Sequence, residues 1–263
     1  MSATRTDLTI RHTELTALPT SVWSETALQI LNVSNNKLRA IPDSIGSLRL
    51  LRLLDLGHNE LASIPDAIGD LASLSDYLYL SDNKLTILPS TLGKLTRLRY
   101  LNVSDNQLTR LPESIGDMAS LIELRASNNR IMSLPRSMVR LSLLRELHAA
   151  KNDLGELPES IGSLTHLRRL NVESNRITRL PDSMSSLENL FELTLRGNRV
   201  TDVAMLGDCK RLSYLDVRAN GMTTLSDRLA DLPLEKLDLR WNPISTYPAW
   251  LDDLEAKGCT VFR

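Results

Sequence analysis

The sequence predicts an α/β solenoid, an elongated fold in which copies of one short unit stack along an axis. Three observations predict it: a pattern that recurs about every 23 residues, an asparagine that marks each copy, and a short apolar–polar alternation before that asparagine. The copy at residues 98–120, LRYLNVSDNQLTRLPESIGDMAS, is representative. A unit of this size cannot bury its own apolar face, so it is stable only when it stacks on neighbours.

The repeat asparagine fixes the register of the copies. The spacing is 23 residues throughout, except for one interval of 24 and two final intervals of 22. With Thr13 in the equivalent position of the first copy, the chain contains eleven turns. An amide both donates and accepts hydrogen bonds, so it can satisfy backbone groups where the chain leaves a strand and turns inward. The asparagines are Asn36, Asn59, Asn83, Asn106, Asn129, Asn152, Asn175, Asn198, Asn220 and Asn242.

Each copy has two halves with different structural preferences. Residues 101–105 alternate between apolar and polar, which predicts a short strand with one buried face. In the other half, Pro112 cannot donate a ladder hydrogen bond, and the residues up to Gly116 favour a tight turn or a short 3₁₀ helix. Stacking therefore predicts a horseshoe with a concave parallel β-sheet and a convex side of loops and 3₁₀ turns.

Two irregularities interrupt the repeat. Residues 74–80, LSDYLYL, contain one residue more than their counterparts, which predicts a bulge just before or within that strand. In the copy of Asn198 the proline is missing, and Cys209 occupies the core position that leucine fills elsewhere.

The repeat runs from end to end, so residues 1–263 are predicted to form a single domain. The open ends of a solenoid expose core residues and unpaired strand groups unless they are covered. We assign residues 1–28, with Trp23, to an N-terminal capping turn. Residues 243–263 form the predicted C-terminal cap, with Trp250, a short helix at 251–256 and an extended piece at 259–263.

The pattern LxxLxLxxNxLxxLPxxIGxLxx resembles the leucine-rich repeat. The phrase LPxxIGxLxxL makes it similar to the intracellular repeats of the Ras-group proteins and Scribble-type scaffolds, and such repeats are also common in bacterial proteins. The resemblance covers roughly residues 7–263. It implies a concave surface that binds a protein, and it identifies no partner.

Composition excludes several classes of function. Basic and acidic side chains number 31 and 32, so the chain lacks the basic surface of a nucleic-acid-binding protein. No apolar run is long enough for a secretory signal or a membrane span, which predicts a monomeric cytoplasmic chain, with signal-independent export left open. Two cysteines, Cys209 and Cys259, agree with a reducing compartment.

No catalytic or metal-binding motif is recognisable in the sequence. The polar residues are distributed over the successive copies of the repeat, whereas catalysis requires groups that converge in a pocket. The four histidines lie in different copies, and no two have the spacing of metal ligands. We therefore predict no enzymatic activity, no cofactor and no metal site.

The first candidate binding surface lies near the C-terminus. Residues at the same position of successive copies form a column on the outward face of the sheet. Arginines occupy the column two residues before the asparagine in three consecutive copies, and aspartates occupy the column four residues before it in two of them. Arginine, tyrosine and tryptophan are the residues enriched in binding hot spots. Two explanations stay open for the charges: the aspartates pair with the arginines, or an acidic partner does. The predicted partner-binding residues are Arg196, Tyr214, Asp216, Arg218, Asp238, Arg240 and Trp241.

The second candidate surface lies nearer the N-terminus. Tyr77, Tyr79 and Tyr100 continue an outward column that contains Ile30 and Leu53. Contiguous exposed apolar residues often mark a contact site. The extra residue beside Tyr77 leaves an alternative in which some of these side chains turn inward.

The resulting hypothesis is a non-enzymatic interaction module whose concave face binds a protein partner. The alternatives are a regulatory or effector protein that modulates a signalling enzyme or host protein, and a self-assembling structural repeat protein. We also expect that reversal of Arg218 and Arg240 to glutamate weakens partner capture and leaves the thermal midpoint almost unchanged.

Overall fold

The computed structural model describes residues 5–263, which form short strands, 3₁₀ helices and one seven-residue α-helix. Backbone contacts divide the chain into two compact units, one that ends at Arg130 and one that begins at Ile131. Within residues 5–263, no helix has the length and apolar character needed to cross a bilayer. The single-domain assignment stays a prediction.

The first unit contains six three-residue strands, and each one pairs in parallel with the next. Five 3₁₀ helices alternate with the strands, and a proline precedes each one. The strands are β1 Asp7–Thr9, β2 Ile30–Asn32, β3 Leu53–Asp55, β4 Tyr77–Tyr79, β5 Tyr100–Asn102 and β6 Glu123–Arg125. The 3₁₀ helices are η1 Thr20–Ser24, η2 Asp43–Ser47, η3 Asp66–Asp70, η4 Ser90–Lys94 and η5 Glu113–Asp117.

The second unit repeats this plan and adds a terminal α-helix. Its strands are β7 Glu146–His148, β8 Arg169–Asn171, β9 Glu192–Thr194, β10 Tyr214–Asp216, β11 Lys236–Asp238 and β12 Thr260–Phe262. Its helices are η6 Arg136–Arg140, η7 Glu159–Ser163, η8 Asp182–Ser186, η9 Ala204–Asp208, η10 Asp227–Leu229 and α1 Trp250–Ala256. The repeated strands, parallel pairs and 3₁₀ turns confirm the predicted α/β solenoid plan in each unit.

The core is built from the leucines of the repeat. The central residue of each strand from β1 to β11 is a buried leucine, and the first and third residues face outward except where noted below. Cys209 occupies a fully buried core position as predicted, with its Sγ 3.4 Å from the carbonyl oxygen of Met184. Burial raises the pKa of the Cys209 thiol to about 11, so the thiol stays protonated and unreactive at neutral pH.

The repeat asparagines join neighbouring copies, and Asn106 shows how. Its Oδ1 accepts a hydrogen bond of 3.0 Å from the amide of Leu85 in the preceding copy. Its Nδ2 donates to the carbonyl oxygens of Leu80, Val103 and Ser104 at 2.9, 3.1 and 3.0 Å. This confirms the predicted role, because one buried amide satisfies backbone groups of two copies.

The residue before each repeat asparagine adopts a left-handed backbone conformation, which the sequence pattern did not predict. Its φ is +53° at Asp82, +57° at Asp105 and +67° at Gly197. Asparagine, aspartate and glycine tolerate this conformation best, whereas a bulky residue there is an outlier. The bulkiest of the residues held in this conformation is Trp241, with φ of +63°.

The extra residue of the 24-residue copy lies just before strand β4, as predicted. The amides of both Ser75 and Asp76 donate to the carbonyl oxygen of Arg52, and Tyr77 then pairs in register with Leu53. The strand itself is regular, with Leu78 buried. The alternative in which the extra residue turns these tyrosines inward is therefore wrong.

Both predicted caps contain a tryptophan with a structural contact. Trp23 is buried within η1. Helix α1 begins at Trp250, whose indole Nε1 donates a 3.0 Å hydrogen bond to Asp227. The predicted terminal helix and extended piece are confirmed, and the extended piece is a true strand, because β12 pairs in parallel with β11.

Candidate functional site

Two groups of outward-facing side chains contain most of the predicted site residues. The aromatic cluster, in the first unit, comprises Tyr77, Tyr79 and Tyr100. The charged cluster, in the second unit, comprises Asp216, Arg218, Asp238, Arg240 and Trp241. Each cluster is positioned by the strand alternation that buries the leucines between its members.

Arg218 connects two adjacent strands of the charged cluster. Its Nε and Nη2 donate to the two carboxylate oxygens of Asp216, at 2.9 and 2.5 Å. The same Nε lies 3.3 Å from Oδ2 of Asp238. This contact is possible because β10 and β11 pair in register and place Asp216 beside Asp238. One guanidinium therefore neutralises the repulsion between two neighbouring carboxylates.

Arg240 makes a second two-point arginine–aspartate contact, in which Nε and Nη2 donate to the two carboxylate oxygens of Asp238 at 2.9 and 2.6 Å. The Asp238 side chain is only 1% exposed. Burial alone raises the pKa of this carboxyl, but the hydrogen bonds from Arg240 and the charge of Arg218 outweigh it, so the pKa lies below its ordinary value. Of the two explanations for the charges, the structure shows that the aspartates pair with the arginines.

This geometry corrects one expectation. Reversal of Arg218 and Arg240 to glutamate would place two more carboxylates against the buried carboxylate of Asp238. A buried charge that loses its partners is strongly destabilising. We therefore revise the expectation that this double reversal leaves the thermal midpoint almost unchanged: it should lower the midpoint, so the variant is not a clean test of binding.

The substitution Asp238→Asn is expected to destabilise the protein by about 2 kcal/mol at neutral pH, because both arginines lose a charged acceptor. The lowered pKa of Asp238 means that its contribution is complete above the ordinary pKa of 3.8 and is lost as the pH falls further, through the folded-state value. The stability difference between wild type and D238N, measured by urea denaturation, should therefore shrink on acidification below that pH.

The exposed Asp252, which pairs with Arg263, supplies the matched control D252N. That variant should unfold at nearly the wild-type urea concentration. If the stability difference between wild type and D238N stayed constant down to strongly acidic pH, the assigned role of the buried carboxylate would be contradicted.

Trp241 lies over the arginines and remains 64% exposed. The Cζ atoms of Arg196 and Arg240 lie 5.9 and 5.6 Å from its ring centroid, within the range of cation–π contacts. Arg196 belongs to a copy two turns earlier, so its contact with Trp241 spans the copy that carries Arg218. The ring is therefore an exposed aromatic surface flanked by the guanidinium groups of two arginines.

The remaining predicted residues of this surface are only partly brought together. Tyr214 lies at the opposite end of β10 from Arg218; its hydroxyl donates to Glu235 at 2.6 Å and its ring packs against Phe191, with centroids 5.2 Å apart. The hydrogen bond to Glu235 raises the pKa of Tyr214. Arg196 contacts Trp241 and also lies 3.6 Å from Glu173.

The predicted partner-binding residues do not include Phe262 and Lys236, although Lys236 lies on an outward position of the repeat. The Phe262 ring centroid lies 4.7 Å from Cζ of Arg240 and 5.6 Å from Nζ of Lys236. Phe262 had been assigned to a cap, but β12 pairs Phe262 with Asp238 and so extends the outward column by one member. The signal that could have found it is the alternation of Thr260, Val261 and Phe262 after the last repeat.

The aromatic cluster is a continuous patch of rings. The Tyr77 ring stacks on Tyr79 with centroids 5.7 Å apart, and Tyr100 lies 5.3 Å from Tyr77 and 5.2 Å from Tyr79. Tyr77 is exposed, whereas Tyr79 and Tyr100 are half-buried, and this burial raises the pKa of both. The phenols of Tyr79 and Tyr100 are therefore neutral at physiological pH, and the patch offers apolar ring faces with hydroxyl groups.

Two family models match the sequence. One, described as "Leucine-rich repeat region", matches residues 43–129, and one described as "Leucine rich repeat" matches residues 6–61 and 156–200. Neither description distinguishes the Ras-group or Scribble type, so that finer resemblance stays a prediction. No curated protein has a sequence that matches this chain.

Solved structures give the same fold. The internalin InlF of Listeria monocytogenes has 21% identity and a TM-score of 0.74, covering 98% of this chain and 79% of InlF. The functional domain of InlJ from the same species has 24% identity and a TM-score of 0.75, covering 92% of this chain and 54% of that one.

A plant structure is also similar. It is the leucine-rich repeat ectodomain of the membrane receptor kinase GASSHO1/SCHENGEN3 of Arabidopsis thaliana, solved in complex with CASPARIAN STRIP INTEGRITY FACTOR 2. The identity is 27% and the TM-score is 0.64. The match covers 97% of this chain and 38% of that ectodomain.

Proposed function

Because this chain belongs to the leucine-rich repeat proteins, we propose that it is a non-enzymatic module that binds a protein partner on the outward face of its sheet, the predicted concave face. The observation that carries this proposal is Trp241. Its indole is 64% exposed, although tryptophan is a residue that folding normally buries. The aromatic cluster is proposed as a second contact area.

The backbone of Trp241 strengthens the argument. A non-glycine residue held at φ of +63° is strained by about 1–3 kcal/mol. Every other copy holds this position in the same conformation, with residues that range from Asp105 and Asn128 to Lys151, and Trp241 has the largest side chain among them. An exposed aromatic ring gains little from this position in the isolated chain, whereas tryptophan flanked by arginine is typical of a binding hot spot.

The scaffold also favours binding. The outward residues of each unit are fixed by short strands whose central leucines are buried, and by asparagines such as Asn198 that bond to neighbouring copies. The partner therefore meets a surface that is already ordered, and the module loses little conformational entropy on association. The similar plant ectodomain was solved in complex with CASPARIAN STRIP INTEGRITY FACTOR 2, which supports a binding role for this chain.

The substitution Trp241→Ala tests the proposal through affinity capture with the tagged protein. We expect W241A to reduce recovery of the captured partner at least tenfold, which corresponds to the loss of about 1.4 kcal/mol or more for a hot-spot residue. Removal of an exposed side chain should leave the unfolding midpoint near that of the wild type.

Met132 provides the matched control, because it is also 64% exposed and lies in the loop that follows β6. The variant M132A loses a comparably exposed apolar side chain, so it should capture the partner as the wild type does. Equal recovery with W241A, M132A and wild type would remove Trp241 from the binding surface.

The same capture distinguishes the alternatives. A scaffold is expected to recover several components of one assembly, whereas a regulator or effector is expected to recover one enzyme or host protein. Self-assembly is separated by size measurement over a concentration series, in which the proposed monomer keeps a constant mass.

Two free, buried cysteines among the described residues support the proposed cytoplasmic location, which cell fractionation can check.

A further inference from the structure

We propose that the partner presents an acidic segment to a basic aromatic face in the second unit. This face comprises Arg196, Lys236, Arg240, Trp241 and Phe262. The inference rests on the proposed function, because it names the chemistry of the partner at the same surface. The contacts of Trp241 and Phe262 with the three cations define the face as one continuous area.

The acidic side chains around this face are more buried than the exposed basic ones. The carboxylates beneath the face are covered: Glu173, Asp216 and Asp238 have 27, 20 and 1% of their side chains exposed. The side chains of Arg196 and Arg240 are more accessible, at 42 and 37%. The formal charges of these groups nearly balance, but the layer that a partner touches is positive.

Lys236 adds a cation that nothing in the described chain neutralises. It is exposed, and within residues 5–263 it forms no ion pair; its Nζ lies 5.6 Å from the Phe262 ring. The nearest acidic residue in sequence, Glu235, accepts a hydrogen bond from Tyr214. An incoming carboxylate would therefore complete the charge pairing of Lys236 without displacing a partner.

The aromatic rings hold the arginines in a geometry that suits carboxylates. Arg240 lies between Trp241 and Phe262, at 5.6 and 4.7 Å from their centroids. It uses Nε and Nη2 for Asp238, which leaves Nη1 as a donor. A guanidinium packed against ring faces presents its N–H groups at its edge, where a planar carboxylate can bind.

A nucleic acid is the other polyanion that this face could meet. Duplex binding uses many phosphate contacts distributed along a basic surface. Here the accessible cations are few, and the chain carries a formal net charge of -1. The observations therefore favour an acidic peptide, and binding of nucleic acid becomes an outcome of the test.

Fluorescence anisotropy with three labelled probes tests the proposal on the full chain: hexaglutamate, hexalysine and a single-stranded oligothymidine. We expect hexaglutamate to bind at least about tenfold more tightly than either other probe. The complex should weaken several-fold between about 0.05 M and 0.5 M salt, because exposed charges are screened over shorter distances. Absence of hexaglutamate binding, or preference for oligothymidine, would overturn the proposal.

Paired variants locate the interaction. R196Q/K236Q removes two exposed cations and preserves both arginine–aspartate contacts around Asp238. R176Q/K210Q removes the same charge elsewhere in the second unit, where Arg176 pairs with Asp153 and Lys210 donates to a backbone carbonyl. We expect R196Q/K236Q to weaken hexaglutamate binding at least fivefold and R176Q/K210Q to change it less than twofold.

Equal weakening by the two double variants would mean that the peptide responds to net charge alone, which would overturn the assignment to this face. The result is distinguishable from the capture experiment with W241A. Loss of capture with W241A together with no preference for hexaglutamate would reject the acidic partner and retain the protein-binding function.

Discussion

The substitution Asn106→Ala is expected to lower the free energy of unfolding by about 3 kcal/mol. The amide of Asn106 bonds four backbone groups, and methyl replacement leaves the N–H of Leu85 and the carbonyl oxygens of Leu80, Val103 and Ser104 without this partner. Each of the three carbonyl oxygens keeps another hydrogen-bond donor, but the Leu85 amide loses its acceptor. An unsatisfied buried N–H loses its solvation without compensation. Urea denaturation followed by circular dichroism measures the change.

Hydrogen exchange gives a local check of the same prediction. The Leu85 amide should lose protection in N106A, because Asn106 Oδ1 is its acceptor. Asn189 supplies the control: it is half-buried, its Nδ2 donates to the carbonyl oxygen of Thr165, and its Oδ1 accepts from Arg211, both in solvent-exposed hydrogen bonds. We expect N189A to lie within about 0.5 kcal/mol of the wild type. A N106A variant as stable as N189A would show that the asparagine bonds are dispensable.

The substitution Gly162→Ala is expected to destabilise the protein by about 2 kcal/mol, because it overpacks the contact between successive 3₁₀ helices. A methyl group on Gly162, in η7, would lie 2.7 Å from Cβ of Ser183 and 2.8 Å from its carbonyl carbon, in η8. These are main-chain or short side-chain atoms, so relief requires that one helix shifts away from the other.

Gly155 is a matched control in the same unit, since a Cβ there meets nothing within 4 Å. Because alanine restricts the unfolded chain more than glycine does, G155A should be neutral or stabilising by up to about 1 kcal/mol. Thermal and urea midpoints of the two variants measure the contrast. If G162A and G155A had the same unfolding midpoints, the close approach of the 3₁₀ helices would not restrict the residue at position 162 to glycine.

The sequence predicted those features that repeat in every copy. Strand positions, buried leucines and asparagine bonds follow from periodicity, because each is set by contacts with an equivalent residue one copy away. The core position of Cys209 could be predicted for the same reason, because leucine fills the equivalent position of other copies.

The features that differ between copies were harder to predict. Trp241 was selected by residue type, but its left-handed backbone and its contact with Arg196 two copies earlier depend on how a long side chain is directed across the surface. The pairing of Arg218 with two aspartates required distances. Tyr214 was grouped with these residues by column, yet its contacts lie at the other end of its strand.

The junction before β4 has a consequence for how such arrays change length. In regular copies the residue before the strand and the first strand residue donate to one carbonyl oxygen, as Arg52 and Leu53 do to Gln29. Before β4 this pair is shifted back to Ser75 and Asp76, so the additional residue is accommodated there and the strand resumes its usual pairing at Tyr77. Copies of unequal size can therefore be joined without scrambling the side chains displayed by the strands. Insertions at this rim offer a route to graft new loops beside an unaltered recognition surface.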